Sequence, residues 1–144
     1  MEELLDLIMR AFAYMDGVID PPSSAHRLTV KNLREKCAAE IAFVALEGER
    51  LVGCVFLAER TDHFYLGKLA VDPSYQGRGT GRLLLKAAEE AVIAAGKPLI
   101  ELQTRVELTA NQTAFARMGF VETGRTAHAG FDRPTSITMR KALA

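Results

Sequence analysis

The spacing of apolar residues changes period several times along the chain, and each change marks a new element. Leu4, Leu5, Ile8 and Phe12 recur near every 3.6 residues and predict a helix over residues 4–12. Residues 13–28 contain Asp16-Gly17 and Asp20-Pro21-Pro22-Ser23-Ser24, which predict turns and a long loop. Thr29 is placed to cap a second helix running to about Ala38. The period then falls to two. Residues 40–46, 51–58 and 64–71 read as strands joined by short polar links, so consecutive strands should pair antiparallel. A long helix follows over 79–95, with Leu83, Leu84, Ala87, Ala88, Ala91, Val92 and Ala95 on one face. Gly96 should stop it, and Pro98 prevents continuation. Residues 99–103 form another strand, and the strand–helix–strand unit predicts a right-handed crossover with 64–71 and 99–103 parallel. Thr109 and Gln112 have the spacing of a capping box for a short helix over 110–118, ended by Gly119. Strands near 120–126 and 135–141 complete the set. The expected architecture is α/β (α+β in some schemes), with one mixed, mostly antiparallel sheet of about six strands and helices on both faces.

Composition narrows the partners more than the fold. The chain has 144 residues, 49% hydrophobic and 25% charged, which suits one globular domain over 1–144 and excludes wholesale disorder. Lys and Arg number 18, as do Asp and Glu, so the net charge is zero. A nucleic-acid or anionic-membrane binder would need a basic surplus, so neither partner is expected. No apolar run is long enough for a transmembrane helix, and Met1-Glu2-Glu3 lacks the basic start of a signal peptide. Cys37 and Cys54 form no metal motif or disulfide framework and read as reduced thiols. These features predict a cytoplasmic protein with no metal.

The most informative segment is Val71-Asp72-Pro73-Ser74-Tyr75-Gln76-Gly77-Arg78-Gly79-Thr80-Gly81-Arg82. A buried strand ends, a turn follows, and a helix begins inside the glycines. Free N–H groups and the dipole at a helix start attract anions. Glycines at 77, 79 and 81 allow positive φ and close approach to a phosphate, and Arg78, Arg82 and Lys86 add charge beside them. A P-loop would need Gly-x4-Gly-Lys-Ser/Thr, which is absent. A dinucleotide fingerprint would need glycine where Arg82 stands. Glu101 does lie twenty residues beyond Gly81, but antiparallel strands precede this unit, unlike a dinucleotide fold.

The segment resembles the acetyl-CoA loop of the GNAT superfamily of N-acetyltransferases. Gln76-Gly77-Arg78-Gly79-Thr80-Gly81 fits the family pattern Gln/Arg-x-x-Gly-x-Gly/Ala. It follows a Leu69-Ala70-Val71-Asp72-Pro73 strand end and opens a long helix, and Asn111 and Met118-Gly119-Phe120 fit the downstream run. The resemblance spans about residues 4–141. It implies that the backbone of Leu69, Ala70 and Val71 bonds the pantetheine arm of acetyl-CoA like an added strand, with one N–H toward the thioester oxygen. It implies that the backbone from Gln76 to Arg82 (Gln76, Gly77, Arg78, Gly79, Thr80, Gly81, Arg82) holds the pyrophosphate. Asn111 would bond the pantetheine and Phe115 would pack on it. A bulge near residue 70 would help to splay the two parallel strands. Two departures stand out. The chain opens almost inside the family's first helix, so the family's first strand is expected to be missing, leaving a sheet edge that favours a homodimer. Phe115 also occupies a position where the family often has a tyrosine acting as acid toward the leaving thiolate.

The expected activity is acetyl transfer from acetyl-CoA to a small primary amine. The alternatives are an acyl-CoA binding or sensing module without turnover, and an acetyltransferase acting on proteins. Glu101 shares a strand face with Leu99 and Gln103 and is one candidate base or water organiser, the alternative being a salt-bridged strand acid. His128, in a loop before Gly130, is the other, since its ordinary pKa suits proton transfer near neutrality; the alternative is an ordinary loop histidine. Tyr75 would pack or donate a proton, and Tyr65 would lie in the core. Asp16 and Asp20 would either shape turns or attract a cationic amine; His26 and His63 read as surface residues.

Overall fold

The computed structural model describes residues 1–143. Four helices, α1 (Glu2–Phe12), α2 (Val30–Ala39), α3 (Thr80–Ala94) and α4 (Thr109–Arg117), surround six strands: β1 (Ile41–Glu47), β2 (Arg50–Glu59), β3 (Phe64–Val71), β4 (Leu99–Arg105), β5 (Val121–Thr126) and β6 (Ser136–Ala142). The sheet order is β1-β2-β3-β4-β6-β5. Every neighbouring pair is antiparallel except β3 and β4. The mixed sheet and its crossover agree with the pattern of apolar residues. No strand precedes α1 among the described residues, and β1 is an edge strand with Val44 and Leu46 exposed.

Two apolar layers hold the sheet. On one face α1 and α2 bury Leu4, Leu7, Ile8, Ala11 and Leu33 against Cys54, Phe56 and Ala70. On the other, α3 buries Leu84, Leu85, Ala88 and Val92 against Val55, Leu57, Ile100 and Leu102. Each fully buried side chain of this kind contributes about 1.5–3 kcal/mol. Two expected stripes are turned. In α1 the buried row is Leu4, Leu7, Ile8 and Ala11, with Leu5 and Phe12 at its rim. In α3 Leu85 replaces Leu83, which is 68% exposed. The run Leu83-Leu84-Leu85 permits either register. Packing buries Leu84 and Leu85, and Gly53 lets α3 approach β2 so closely that a Cβ there would sit 2.9 Å from Leu84 Cδ1.

The helix ends are set by local chemistry. Thr29 caps α2 in a reciprocal box with Asn32. Gly96 closes α3, its N–H donating to the Ile93 carbonyl while that of Lys97 reaches Val92. The expected box at α4 does not form. Leu108 is the N-cap, Thr109 is already helical, and the Gln112 amide donates instead to the carbonyls of Arg105 and Val106. Those acceptors are left over where β4 turns into α4, and they outcompete the cap.

Candidate active site

The parallel pair is joined over only two positions, Phe64 with Ile100 and Tyr65 with Glu101. Beyond them β3 stays paired to β2, and β4 to β6, but not to each other. From Leu66 to Val71 the edge of β3 facing β4 therefore carries backbone groups with no strand partner, in the middle of a sheet. Such groups demand a substitute partner. The gap opens into a cleft of about 920 Å³.

The cause of the splay lies on β3. Cys54 pairs with Ala70 and Phe56 with Gly67, so Val55 alone opposes Lys68 and Leu69. This bulge sits slightly before the position the family resemblance implies. Lys68 adopts φ +48°, an unusual angle for a side-chain-bearing residue. The extra residue also switches which side chains face which layer. Phe64 and Leu66 point to the α3 layer, but so do Leu69 and Val71, while Ala70 joins the α1 layer.

At the C-terminal end of β3, Asp72 anchors the turn into α3. Its buried carboxylate accepts from Arg10 at 2.6 Å, Arg50 at 3.1 Å, and the Ser74 amide and hydroxyl at 2.9 and 2.7 Å. The Arg10 hydrogen bond, seconded by those from Ser74, holds this carboxyl well below the usual carboxylate range. Gln76, Gly77, Gly79, Thr80 and Gly81 then line the cleft. Gly77 and Gly79 have φ of +79° and +83°, and Gly79 is the N-cap of α3 with no side chain bonded across the helix start. Gly81 does not use the positive-φ region expected of it. A Cβ there would meet only Val71 Cγ2, at 3.9 Å, so its bareness leaves room on the cleft side. Arg78 and Arg82 are exposed outside the cleft lining, and the Arg78 guanidinium stacks 4.8 Å from the Tyr75 ring centre.

Leu69, Ala70, Val71, Asn111 and Phe115 also line the cleft. Phe115 packs edge-on against Phe120, and Asn111 donates to the Tyr14 hydroxyl at 2.9 Å. Thr104, 6% exposed in the β4 wall, has a hydroxyl with no partner among the described residues. His128 is in the cleft too. Thr135 Oγ1 accepts from its backbone N–H and contacts its Nδ1, and the same hydroxyl reaches the Thr126 carbonyl at 3.4 Å. With the hydroxyl proton on that carbonyl, Nδ1 carries hydrogen and Nε2 carries the lone pair. Burial, then the charges of Arg105 and Arg27, lower the imidazole pKa and keep the ring neutral.

Glu101 is placed differently. It stands where the strands are still paired, outside the cleft lining, and Arg140 grips it at 2.8 and 2.7 Å, with His63 at 3.7 Å. Its carboxylate is held in the ion pair that the salt-bridge alternative describes. Asp16 pairs with His26 at 2.7 Å and Asp20 lies 3.4 Å from Arg133; neither lines the cleft. Tyr65 is in the cleft wall rather than the core, and His63 is largely enclosed.

A strand edge freed by a bulge, with a glycine turn and a bare helix start at its end, reproduces the arrangement that the sequence resemblance implies. Residues 1–120 match the acetyltransferase (GNAT) family. The chain belongs to the GNAT family. A GNAT relative, the IAA acetyltransferase of Azospirillum brasilense, is 30% identical over 146 residues, spanning 97% of this chain and 93% of that protein. The ribosomal-protein-S18-alanine N-acetyltransferase of Escherichia coli superposes with a TM-score of 0.76 at 21% identity, over 99% of this chain and 87% of that one. The PaiA N-acetyltransferase of Thermoplasma acidophilum, solved with coenzyme A, gives 0.78 at 17% identity, over 99% and 92%. At these identities the two structures establish the shared fold.

Sequence reasoning missed several cleft residues, among them Tyr14, Arg27, Lys68 and Arg105. Only Lys68 had a readable signal, since Gly67-Lys68 interrupts an otherwise apolar strand, a common mark of a bulge. Arg105 lies two residues beyond the expected end of β4, which in fact includes it.

Proposed function

We propose that this chain, working as one domain over residues 1–144, moves the acetyl group of acetyl-CoA to a primary amine of a small molecule by direct transfer, in the cytoplasm. The observation that carries the proposal is the unpaired β3 edge ending at the glycine turn. Its free N–H groups fit a pantetheine amide chain, and the open helix start at Gly79 and Thr80 fits a pyrophosphate. Bound acetyl-CoA supplies a thioester carbonyl whose C–S bond breaks as the C–N bond to the amine forms. The exposed Val44 and Leu46 on β1 support a homodimer.

The protein's own groups must do three things. A backbone N–H of the Leu69–Val71 stretch meets the charge that develops on the carbonyl oxygen, a service worth ~2.7–4 kcal/mol. The cleft holds both reactants together. The amine must also be neutral, which an ordinary alkylamine is only about once in 2,500 at pH 7. His128 Nε2 takes the proton the amine loses on attack. Phe115 cannot return one to the departing thiolate. On this reading Tyr14 returns one, since Asn111, one helical turn from Phe115, donates to its oxygen and leaves its own proton free.

The test is thiol release from acetyl-CoA with a panel of small amines and unrelated peptides. Release with small amines supports the proposal. Release only with peptides supports a protein acetyltransferase. Acetyl-CoA binding without release on either panel supports the sensing module, for which Phe115 is the feature in favour. Tyr14→Phe should lower kcat about tenfold while leaving the affinity for acetyl-CoA unchanged.

A further inference from the structure

The acceptor half of the cleft has a charge that its expected substrate would not choose. Arg27, Lys36, Lys68 and Arg105 line it, together with His26 and His128, and no Asp or Glu does so among the described residues. These cations come from four separate segments. Arg27 ends the helical turn Ser24–Arg27, Lys36 is on α2, Lys68 is at the bulge and Arg105 ends β4. In a chain of zero net charge such a concentration is a local arrangement.

Only Lys36 has a carboxylate partner, Glu40 at 2.7 Å. Lys68 Nζ donates to the Ser24 hydroxyl and lies 6.0 Å from the Phe12 ring centre. Arg105 donates to the carbonyls of Pro21 and Pro22, at 2.6 and 3.1 Å. Arg27, Lys68 and Arg105 have no ion-pair partner among the described residues. Acidic groups act on them from further off: Glu40 on Lys68, Glu107 and Asp20 on Arg105. Arg27 is exposed, but Lys68 and Arg105 are half-buried, and half-buried cations without a counter-charge destabilise a fold unless something else supplies one. The strain is visible at Lys68, whose pKa falls to about 8 through burial and then through repulsion from Lys36, Arg27 and Arg105.

We propose that the acceptor carries an anionic group, carboxylate or phosphate, beside its amine, and that Arg27, Lys68 and Arg105 hold that anion. The proposal rests on the acetyl-transfer reading above. The phosphates of the nucleotide are the competing use for these cations. The layout opposes it: Lys68 and Arg105 contact the segment between α1 and α2, whereas the glycine turn leads into α3 from the end of β3. The assignment also explains why Asp16 and Asp20 are tied up away from the cleft. The same cationic field serves the chemistry, because it disfavours a protonated amine as it disfavours protonated Lys68 and His128.

Matched pairs test this. Rates are measured with amino acids against their amides, and with O-phosphoethanolamine against ethanolamine. The anionic member should win by at least about tenfold in kcat/KM, and Arg105→Gln should shrink that ratio to about two- or threefold, as expected for a charge-assisted pair. Preference confined to one pair type tells carboxylate from phosphate. Amides or ethanolamine reacting equally well would overturn the proposal. A binding arm removes dependence on turnover: CoA-loaded protein is titrated calorimetrically with N-acetyl amino acids, their amides and N-acetylated O-phosphoethanolamine. Tighter binding of the anions, weakened in Arg105→Gln, supports the site even if no amine reacts. No binding, or equal binding of the amides, overturns it. Loss of acetyl-CoA binding alongside a retained anion preference would overturn acetyl transfer and leave the anion site standing.

Discussion

The two ends of the cleft are built by different means. The end at the glycine turn is made mostly of backbone: a strand edge without a partner, two positive-φ glycines and an uncapped helix start. The end beneath the α1–α2 segment is made of side chains, Arg27, Lys68, Arg105 and His128, delivered from distant parts of the chain. On the proposed reading, the backbone end would recognise what every acetyl-CoA molecule shares. The side-chain end would recognise what differs between acceptors, and it could change without disturbing the sheet.

Substitutions can break this contrast one end at a time. The largest effect should come from Gly81→Leu. Its Cβ meets no close neighbour in the protein, so the fold should survive while the side chain fills the cleft. Affinity for acetyl-CoA should fall at least ~100-fold, and unchanged helix content by circular dichroism would show that folding is intact. His128→Gln acts at the other end and should lower kcat about 100-fold with little effect on acetyl-CoA binding. Because the imidazole pKa is depressed, the acid limb of the wild-type kcat profile should lie below pH ~6.5 and should vanish in the variant. An unchanged profile would return His128 to the loop.

The smallest effect concerns Asp72, which ties the glycine turn to α1 and β2. Asp72→Ala should cost about 1–3 kcal/mol in urea unfolding at pH 6, since several hydrogen bonds to a buried carboxylate are lost. Acetyl-CoA affinity should weaken a few-fold. The sign with pH follows from the depressed carboxyl. Its stabilisation is complete above the unfolded value near 3.9 and is lost as pH falls toward the folded one. Wild type and variant should therefore converge as pH drops from about 4 to 2, and a constant gap would show that the carboxylate charge is not what matters.

The same contrast governs what could be read from the sequence. Val71 to Arg82 is contiguous, so the strand end, the glycines and the helix start lay side by side for inspection. The order of β1 to β4 followed from short links and one crossover, whereas the insertion of β6 between β4 and β5 did not. Arg27 and Arg105 are seventy-eight positions apart, and nothing local links them. Their meeting depends on how the α1–α2 segment lies over β4, which is a tertiary property. Glu101 illustrates the opposite error. It shares a strand face with Gln103, which does line the cleft, but it stands where β3 and β4 are still paired, and its partner Arg140 on β6 was set by sheet register. The leucine run in α3 erred for a similar reason: periodicity put Leu83 on the buried face, whereas packing turned Leu85 inward instead.

The most direct test of the central claim is calorimetric titration of the wild-type protein with acetyl-CoA, repeated with Gly81→Leu. The account predicts one site per chain for the wild type and loss of that site in the variant. Absence of binding to the wild type, or equal binding to both proteins, would contradict the assignment of the opened β3 edge and glycine turn as the acetyl-CoA site.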